Sequence, residues 1–330
     1  SLLVVYTQAL LEFNQGNHSE ALASIQQILS VAPEHMPSIL LAGAIQHALG
    51  SLTQSEQYLE KYIKVDPNNL YARKLLATVL LKNQQAHRAF DVIEPALGVI
   101  EQDPQLFALA GEAYIQMGDF DKANEYFDKA SLLAPNNAAL HTALAISKIA
   151  QGDNEHAIAE LTAAIDLDGD STRAGILLVM THIRLKEFDK ALDTAKALEK
   201  EQPDEPLFQN LKGGVYLSKE DIPNARASFN KALTMQADYF PAITNLARLD
   251  MQDNNPEAAK KRFEAILEND NKNIQAMYAL ANLALSQQDM DSATRWFELA
   301  SNRNPDELQP AIQLATFYLR TGEKSKPLLL

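Results

Sequence analysis

The sequence predicts an all-α chain, a solenoid of antiparallel helix pairs, and three observations predict it. A 34-residue step links Ala21, Ser55, Ala89, Ala123, Ala157, Ala191, Ala225, Ala259 and Ala293, and a fixed period of this length marks an array of small repeated units. Within each period, apolar residues recur at spacings of three and four, which is helical rather than strand-like. Proline and glycine then punctuate the pattern. Twelve of the 14 prolines fall at unit boundaries or in first helical turns, where the missing N–H is not needed. Gly16, Gly50, Gly118, Gly152 and Gly322 share a column just past the first helix, where a left-handed residue ends it.

Each unit reads as helix, short turn, helix, short turn. Residues 2–35 set Ala9 against Ala21 and Ile25 and close at Pro33; residues 36–69 set Gly43 against Ser55 and Leu59 and close at Pro67. In 70–103, Ala77 meets Ala89 and Ile93, Glu101 stands in the proline column, and Pro95 inside the second helix predicts a kink or early end. In 104–137, Phe107, Ala110, Gly111 and Tyr114 form one face and Ala123, Phe127 and Ala130 answer it, with Pro135 at the close. Gly111 and Ala123 let the two backbones approach, while Tyr114 and Phe127 fill the space beside them. The same columns give Ala145, Ala157 and Leu161 in 138–171, Val179, Ala191 and Ala195 in 172–205, and Gly213, Ala225 and Phe229 in 206–239. They continue as Ala247, Ala259 and Phe263 in 240–273, and Ala281, Ala293 and Phe297 in 274–307. In the partial unit 308–330, Pro327 occupies the alanine column, so no second helix is expected there. The whole of 1–330 reads as a single array.

The spacing Phe107, Ala110, Gly111, Tyr114, Ala123, Phe127, Ala130, Pro135 closely resembles the tetratricopeptide repeat, and the resemblance covers the whole chain. It implies a right-handed superhelix of helix pairs, with the first helix of each pair lining a concave wall. More loosely, NLARLDMQ at 245–252 and the long unbroken array are similar to the repeat lipoproteins of bacterial exosortase, PEP-CTERM and exopolysaccharide systems. That similarity implies an envelope location, periplasmic and anchored by lipid, with the cytoplasm as the alternative. The chain opens on SLLVVYTQALLEF, already in a helical pattern and without Met, and neither end reads as a polar capping unit. It is therefore expected to be part of a longer protein, whose N-terminus would carry any signal peptide or lipid anchor.

Composition narrows the function classes. With 46% hydrophobic and 22% charged residues the chain is a folded globular type, and without cysteine it offers no disulfide, zinc thiolate or catalytic thiol. The apolar runs ILLAGAI (39–45) and GILLVM (175–180) fall well short of the roughly 18 residues that a membrane span needs. A net charge of −14 with no lysine or arginine run argues against nucleic acid as partner. No GxSxG, Walker, GxGxxG or HExxH motif occurs, so no catalytic residue, cofactor or metal site is expected. DLDGDS at 166–171 lacks the glycine and the later glutamate of a calcium loop.

What remains is the face of each first helix opposite its packing residues, the columns through Gln105, Ala108, Glu112, Ile115 and Gln116. Across ten units these columns hold the bases Lys74, Lys82, Arg173, Arg184, Arg248 and Arg320 and one acid, Glu112, where a proportional share of the chain's 43 acids would be about six or seven. Two readings stay open: acids simply gather in turns and on second helices, or the wall accepts an acidic ligand. Ile115, Ile146, Ile149, Ile176, Met180 and Ile183 form an apolar stripe on it, which is either a docking surface or packing within a tightly wound array. Farther along, Asn210, Thr244, Arg248, Tyr278 and Asn282 offer groups for an extended backbone. The expected function is a non-enzymatic scaffold holding a protein, peptide or extended polymer in its groove, in envelope, exopolysaccharide or export assembly. The alternatives are the substrate-selecting repeats of a larger enzyme and a cytosolic peptide receptor or chaperone adaptor.

Overall fold

A computed structural model describes residues 1–100, 102–167 and 172–321, and in it the described residues form α-helices joined by short turns, with no strand. The chain divides into two compact units, Ser1–Thr181 and His182–Leu330. The first unit holds the pairs α1 (Leu2–Asn14) and α2 (His18–Val31), α3 (Met36–Ala48) and α4 (Leu52–Val65), α5 (Leu70–Lys82) and α6 (Ala86–Leu97), α7 (Pro104–Met117) and α8 (Phe120–Leu133), and α9 (Ala138–Gln151) and α10 (Asn154–Leu167). Helix α11 (Thr172–Arg184) spans the division. The second unit continues with α12 (Phe188–Glu201), α13 (Pro206–Ser218) and α14 (Ile222–Met235), α15 (Phe240–Gln252) and α16 (Pro256–Asn269), α17 (Ile274–Ser286) and α18 (Met290–Arg303), and α19 (Leu308–Thr321). Pro327 and most of DLDGDS, residues 168–171, lie outside the described residues.

The columns seen in the sequence are the contact surface within each pair. Ala21, Ala89, Ala123, Ala157, Ala191, Ala225, Ala259 and Ala293 are all fully buried, and so is Ser55, whose hydroxyl donates to the Gly43 carbonyl at 2.7 Å. Serine fits the alanine column because its one polar group finds a partner in the facing helix. A Cβ on Gly111 would lie 2.8 Å from the Phe127 ring, so glycine there makes room for an aromatic beneath it. Helix α6 ends at Leu97, two residues beyond Pro95 and after 12 residues rather than the 14 of α4 and α8. That is the early end expected from a proline that cannot donate to the ladder.

The turn after the first helix is more uniform than glycine alone suggests. Gly16, Gly50, Gly118 and Gly152 have positive φ, and the same column holds Gln84, Lys186, Glu220, Asn254 and Gln288 at φ between 58 and 63°. The geometry is shared: Asp119 N–H donates to Tyr114 O at 3.0 Å and, without a glycine, Asp221 N–H donates to Tyr216 O at 2.9 Å. A side chain in this region is strained by roughly 1 kcal/mol, so Lys186→Gly and Glu220→Gly should each stabilise the chain by about 0.5–1 kcal/mol. Chemical denaturation reads this directly, and a loss of stability in both variants would mean that the turn carries no strain.

One polar cluster ties three helices of the second unit together. Glu199 on α12 accepts from Lys212 on α13 at 2.6 Å and from Lys231 on α14 at 2.9 Å. Burial by itself would raise this carboxyl, but the two ammonium groups overcome it and hold it down to about 2. Because the folded value lies below the unfolded one, the contribution is complete above about pH 4.5 and is lost as pH falls towards 2. Glu199→Gln should therefore flatten the acid loss of stability by about 2 kcal/mol, with little change in its slope above pH 6. Urea midpoints of both proteins at pH 6 and pH 3 give the comparison, and parallel acid profiles would refute the assignment.

Candidate functional site

In the first unit, consecutive first helices approach one another (α1 with α3, α3 with α5, α5 with α7, α7 with α9), and consecutive second helices do not to a comparable extent among the described residues. The first helices therefore line the tighter, inner side. There α7, α9 and the start of α11 enclose a hollow of about 470 Å³ lined by Glu112, Ile115, Gln116, Thr142, Ile146 and Arg173. Gln116 donates to the Leu81 carbonyl at 3.0 Å and so joins α7 to α5. Glu112 reaches solvent, but the hollow surrounds it; loss of solvation raises its pKa and the attraction of Arg173 offsets part of that. The one acid of the predicted wall thus faces a base.

Three predicted groove residues are committed internally, which corrects the expectation that they present free groups. Lys74 binds Asp103 at 2.8 Å, bridging α5 to the cap of α7, because Asp103 also holds the Leu106 N–H. Ile149 packs against the core of Ala145, Ala157 and Leu161 and does not line the hollow. Asn210 accepts from Asn245 at 2.9 Å. Helix α11 carries Ile176, half-buried, and Met180, 56% exposed, in the first unit, and Ile183, half-buried, and Arg184, exposed, in the second.

In the second unit consecutive first helices meet less extensively than those pairs do among the described residues, although the Asn210–Asn245 bond joins α13 to α15, and clefts floored by second helices open between α15 and α17 and between α17 and α19. The cleft between α15 and α17, about 580 Å³, has Phe240, Met251 and Phe263 as its apolar lining and Arg248, Tyr278 and Asn282 among its polar groups. Arg248 donates to Asn245 at 2.6 Å, so the Asn210–Asn245 bond continues into a chain that orients the guanidinium. A second cleft of about 500 Å³, between α17 and α19, repeats the first one unit along: Tyr278 and Asn282 line it too, with Phe297, Phe317 and Arg320. Neither cleft has a carboxylate among the described residues of its lining. The side-chain hydroxyls of Thr244 and Tyr278 are buried without a hydrogen-bond partner among the described residues.

The cleft floors escaped the sequence reading, because Phe263 and Phe297 belong to the packing column. The available signal was the residue above each. Under Gly111 and Gly213, Phe127 and Phe229 are fully buried, whereas under Ala247 and Ala281, Phe263 and Phe297 are 5% and 8% exposed and line clefts. A hollow of about 620 Å³ lies instead among α16, α17 and α18; its lining sets the acids Glu257, Glu264, Asp289 and Glu298 against the bases Lys260 and Arg295, so it does not suit an acidic ligand. Trp296, on its lining, packs against the core.

The tetratricopeptide repeat family profile matches residues 148–214, 216–283 and 251–315, and a second profile of the same description matches 6–69 and 109–174. The chain belongs to the tetratricopeptide repeat family. The profile of anaphase-promoting complex subunit 3 also matches, over residues 56–130. The chain is 23% identical over 328 residues to BBSome complex member BBS4 of Bos taurus, which covers 97% of this chain and 62% of that protein. It is 21% identical over 341 residues to DnaJ homolog subfamily C member 3 of Rattus norvegicus, covering 98% and 64%. The chain thus spans less than two thirds of the length of these relatives. The solved structure of the human IFIT1 dimer with PPP-AAAA superposes with a TM-score of 0.53 at 20% identity, over 87% of this chain and 69% of that one, a likeness of fold. Tetratricopeptide repeat proteins bind protein partners. No helix among the described residues is long and apolar enough to cross a membrane.

The segment NLARLDMQ has a packing account. Leu246, Ala247 and Leu249 are buried, Asp250 binds two arginines, Asn245 bonds Asn210, and Met251 lines the cleft. These six residues meet needs of this repeat's own geometry.

Proposed function

We propose that the chain is a non-enzymatic scaffold that holds an acidic peptide segment of a partner protein along its first helices. The observation that carries this is the distribution of charge. The one acid on that face, Glu112, stands against Arg173, while Arg248 and Arg320 line clefts with no acid among the described residues, in a protein of net charge −14. Apolar lining beside a guanidinium supplies anchoring and steering together. The similarity of 245–252 points to bacterial envelope or exopolysaccharide assembly as the setting. Fractionation of cells producing the full reading frame tests this, and recovery of the protein in the cytosol alone would reject it.

The binding experiment uses labelled 12-residue peptides of equal apolar content and acidic, neutral or basic character, at about 50 and 300 mM salt. The acidic peptide should bind at least about ten-fold tighter than the basic one at low salt, and the difference should shrink at high salt. Equal binding of the neutral peptide without salt dependence would remove the proposal.

A further inference from the structure

The two clefts of the second unit share the wall of Tyr278 and follow one another at the 34-residue step: Thr244, Arg248, Met251 and Phe263 of the first correspond to Tyr278, Asn282, Leu285 and Phe297 of the second. We propose that this unit binds an extended acidic polypeptide through two bulky apolar side chains three residues apart, one in each cleft on either side of Tyr278. The inference rests on the peptide-scaffold reading above and specifies its ligand.

Paired pockets in tandem suit a chain molecule better than a compact one, since a single small ligand has no use for a second copy of its site. For a cleft-to-cleft step of about one helix width, roughly 10 Å, an extended chain in the polyproline II form fits, since it advances about 3.1 Å per residue with three residues per turn and so points the side chains at i and i+3 the same way, into adjacent clefts. Each cleft is apolar below, with Phe263 or Phe297 facing inward, and each takes one guanidinium, Arg248 or Arg320, with no acid beside it among the described lining residues. That complements carboxylates flanking the apolar anchors. The hydroxyls of Thr244 and Tyr278 are already withdrawn from water without a partner in the protein, so a peptide group arriving there gains hydrogen bonds with little further desolvation. Burial also raises the pKa of Tyr278, with the charge of Glu307 adding to it, and this keeps the hydroxyl protonated as a donor.

The test is fluorescence anisotropy on the full chain with acidic 12-residue peptides bearing one phenylalanine, or two separated so that the second is at i+2, i+3, i+4 or i+6. The i+3 peptide should bind about ten-fold tighter than the single-phenylalanine peptide, and i+2 and i+6 should gain little. Ala279→Trp, which fills the first cleft, and Thr316→Trp, which fills the second, should each reduce the i+3 peptide to the single-anchor affinity. Tyr278→Phe keeps the shared wall and should weaken binding about three-fold. Affinity independent of spacing on the unaltered chain would overturn the inference whatever the variants do. Acidic peptides that bind regardless of spacing would leave the scaffold reading standing and remove only this one. Neutral two-anchor peptides that bind as tightly as the acidic ones, with the same preference for i+3, would remove the charge reading above and leave the pairing of the two clefts.

Discussion

Phe229→Ala is expected to lower the stability of the second unit by about 3–5 kcal/mol. The ring is fully buried between α13 and α14, and a Cβ on Gly213 would lie 2.4 Å from it, so the facing backbone is already as near as it can come. Truncation leaves a void that no neighbouring side chain on α13 can fill, which puts the cost at the upper end for a lost side chain. The converse change, Gly213→Ala, pushes the ring out and should cost about 1–3 kcal/mol. In a Phe229→Leu background the same alanine should be nearly neutral, because Ala145 and Leu161 already form such a pair with both residues fully buried. Urea unfolding of the four proteins gives the coupling energy, and additive effects would show that the two residues do not share one space.

The second large effect is expected at Asp250. It is 6% exposed and bound by Arg226 at 2.8 Å and Arg262 at 2.5 Å, so it joins α14, α15 and α16. Asp250→Ala leaves two half-buried guanidinium groups without their counter-charge, which should cost about 3 kcal/mol, the low end for breaking a buried pair because both arginines still reach solvent. Burial would raise this carboxyl, but the bonds from Arg262 and Arg226 more than offset it and hold it below the ordinary range. Its contribution is thus present above the ordinary aspartate range and fades as pH falls through the folded value, so the variant and the parent should converge in acid. A constant difference from pH 7 to pH 3 would place the cost elsewhere. The consequence reaches the cleft, because α15 carries Asp250 on its packed side and Arg248 on its open side; a loosened α15 should also weaken peptide binding.

The helix pairs, their order and the early end at Pro95 were legible because each depends on residues within one period: small against large, a left-handed turn, a proline that cannot donate. Family membership followed from the same columns. The wall was legible only in part. Column position places Lys74, Ile149 and Asn210 on the open face, but each is met by a residue from another helix, namely Asp103, the Ala145–Leu161 core and Asn245. Column position equally hides Phe263 and Phe297 in the core, although an alanine rather than a glycine above each leaves the ring at a cleft floor.

From the chain of residues alone, then, come the repeat, its helices and the scarcity of acids on one face, since short-range sterics and period decide those. Which of that face's groups remain open to a partner was decided by tertiary structure. First helices that meet extensively in one unit and less so in the other determine where clefts form, and that spacing depends on side chains 30 or so residues distant, which no local pattern encodes.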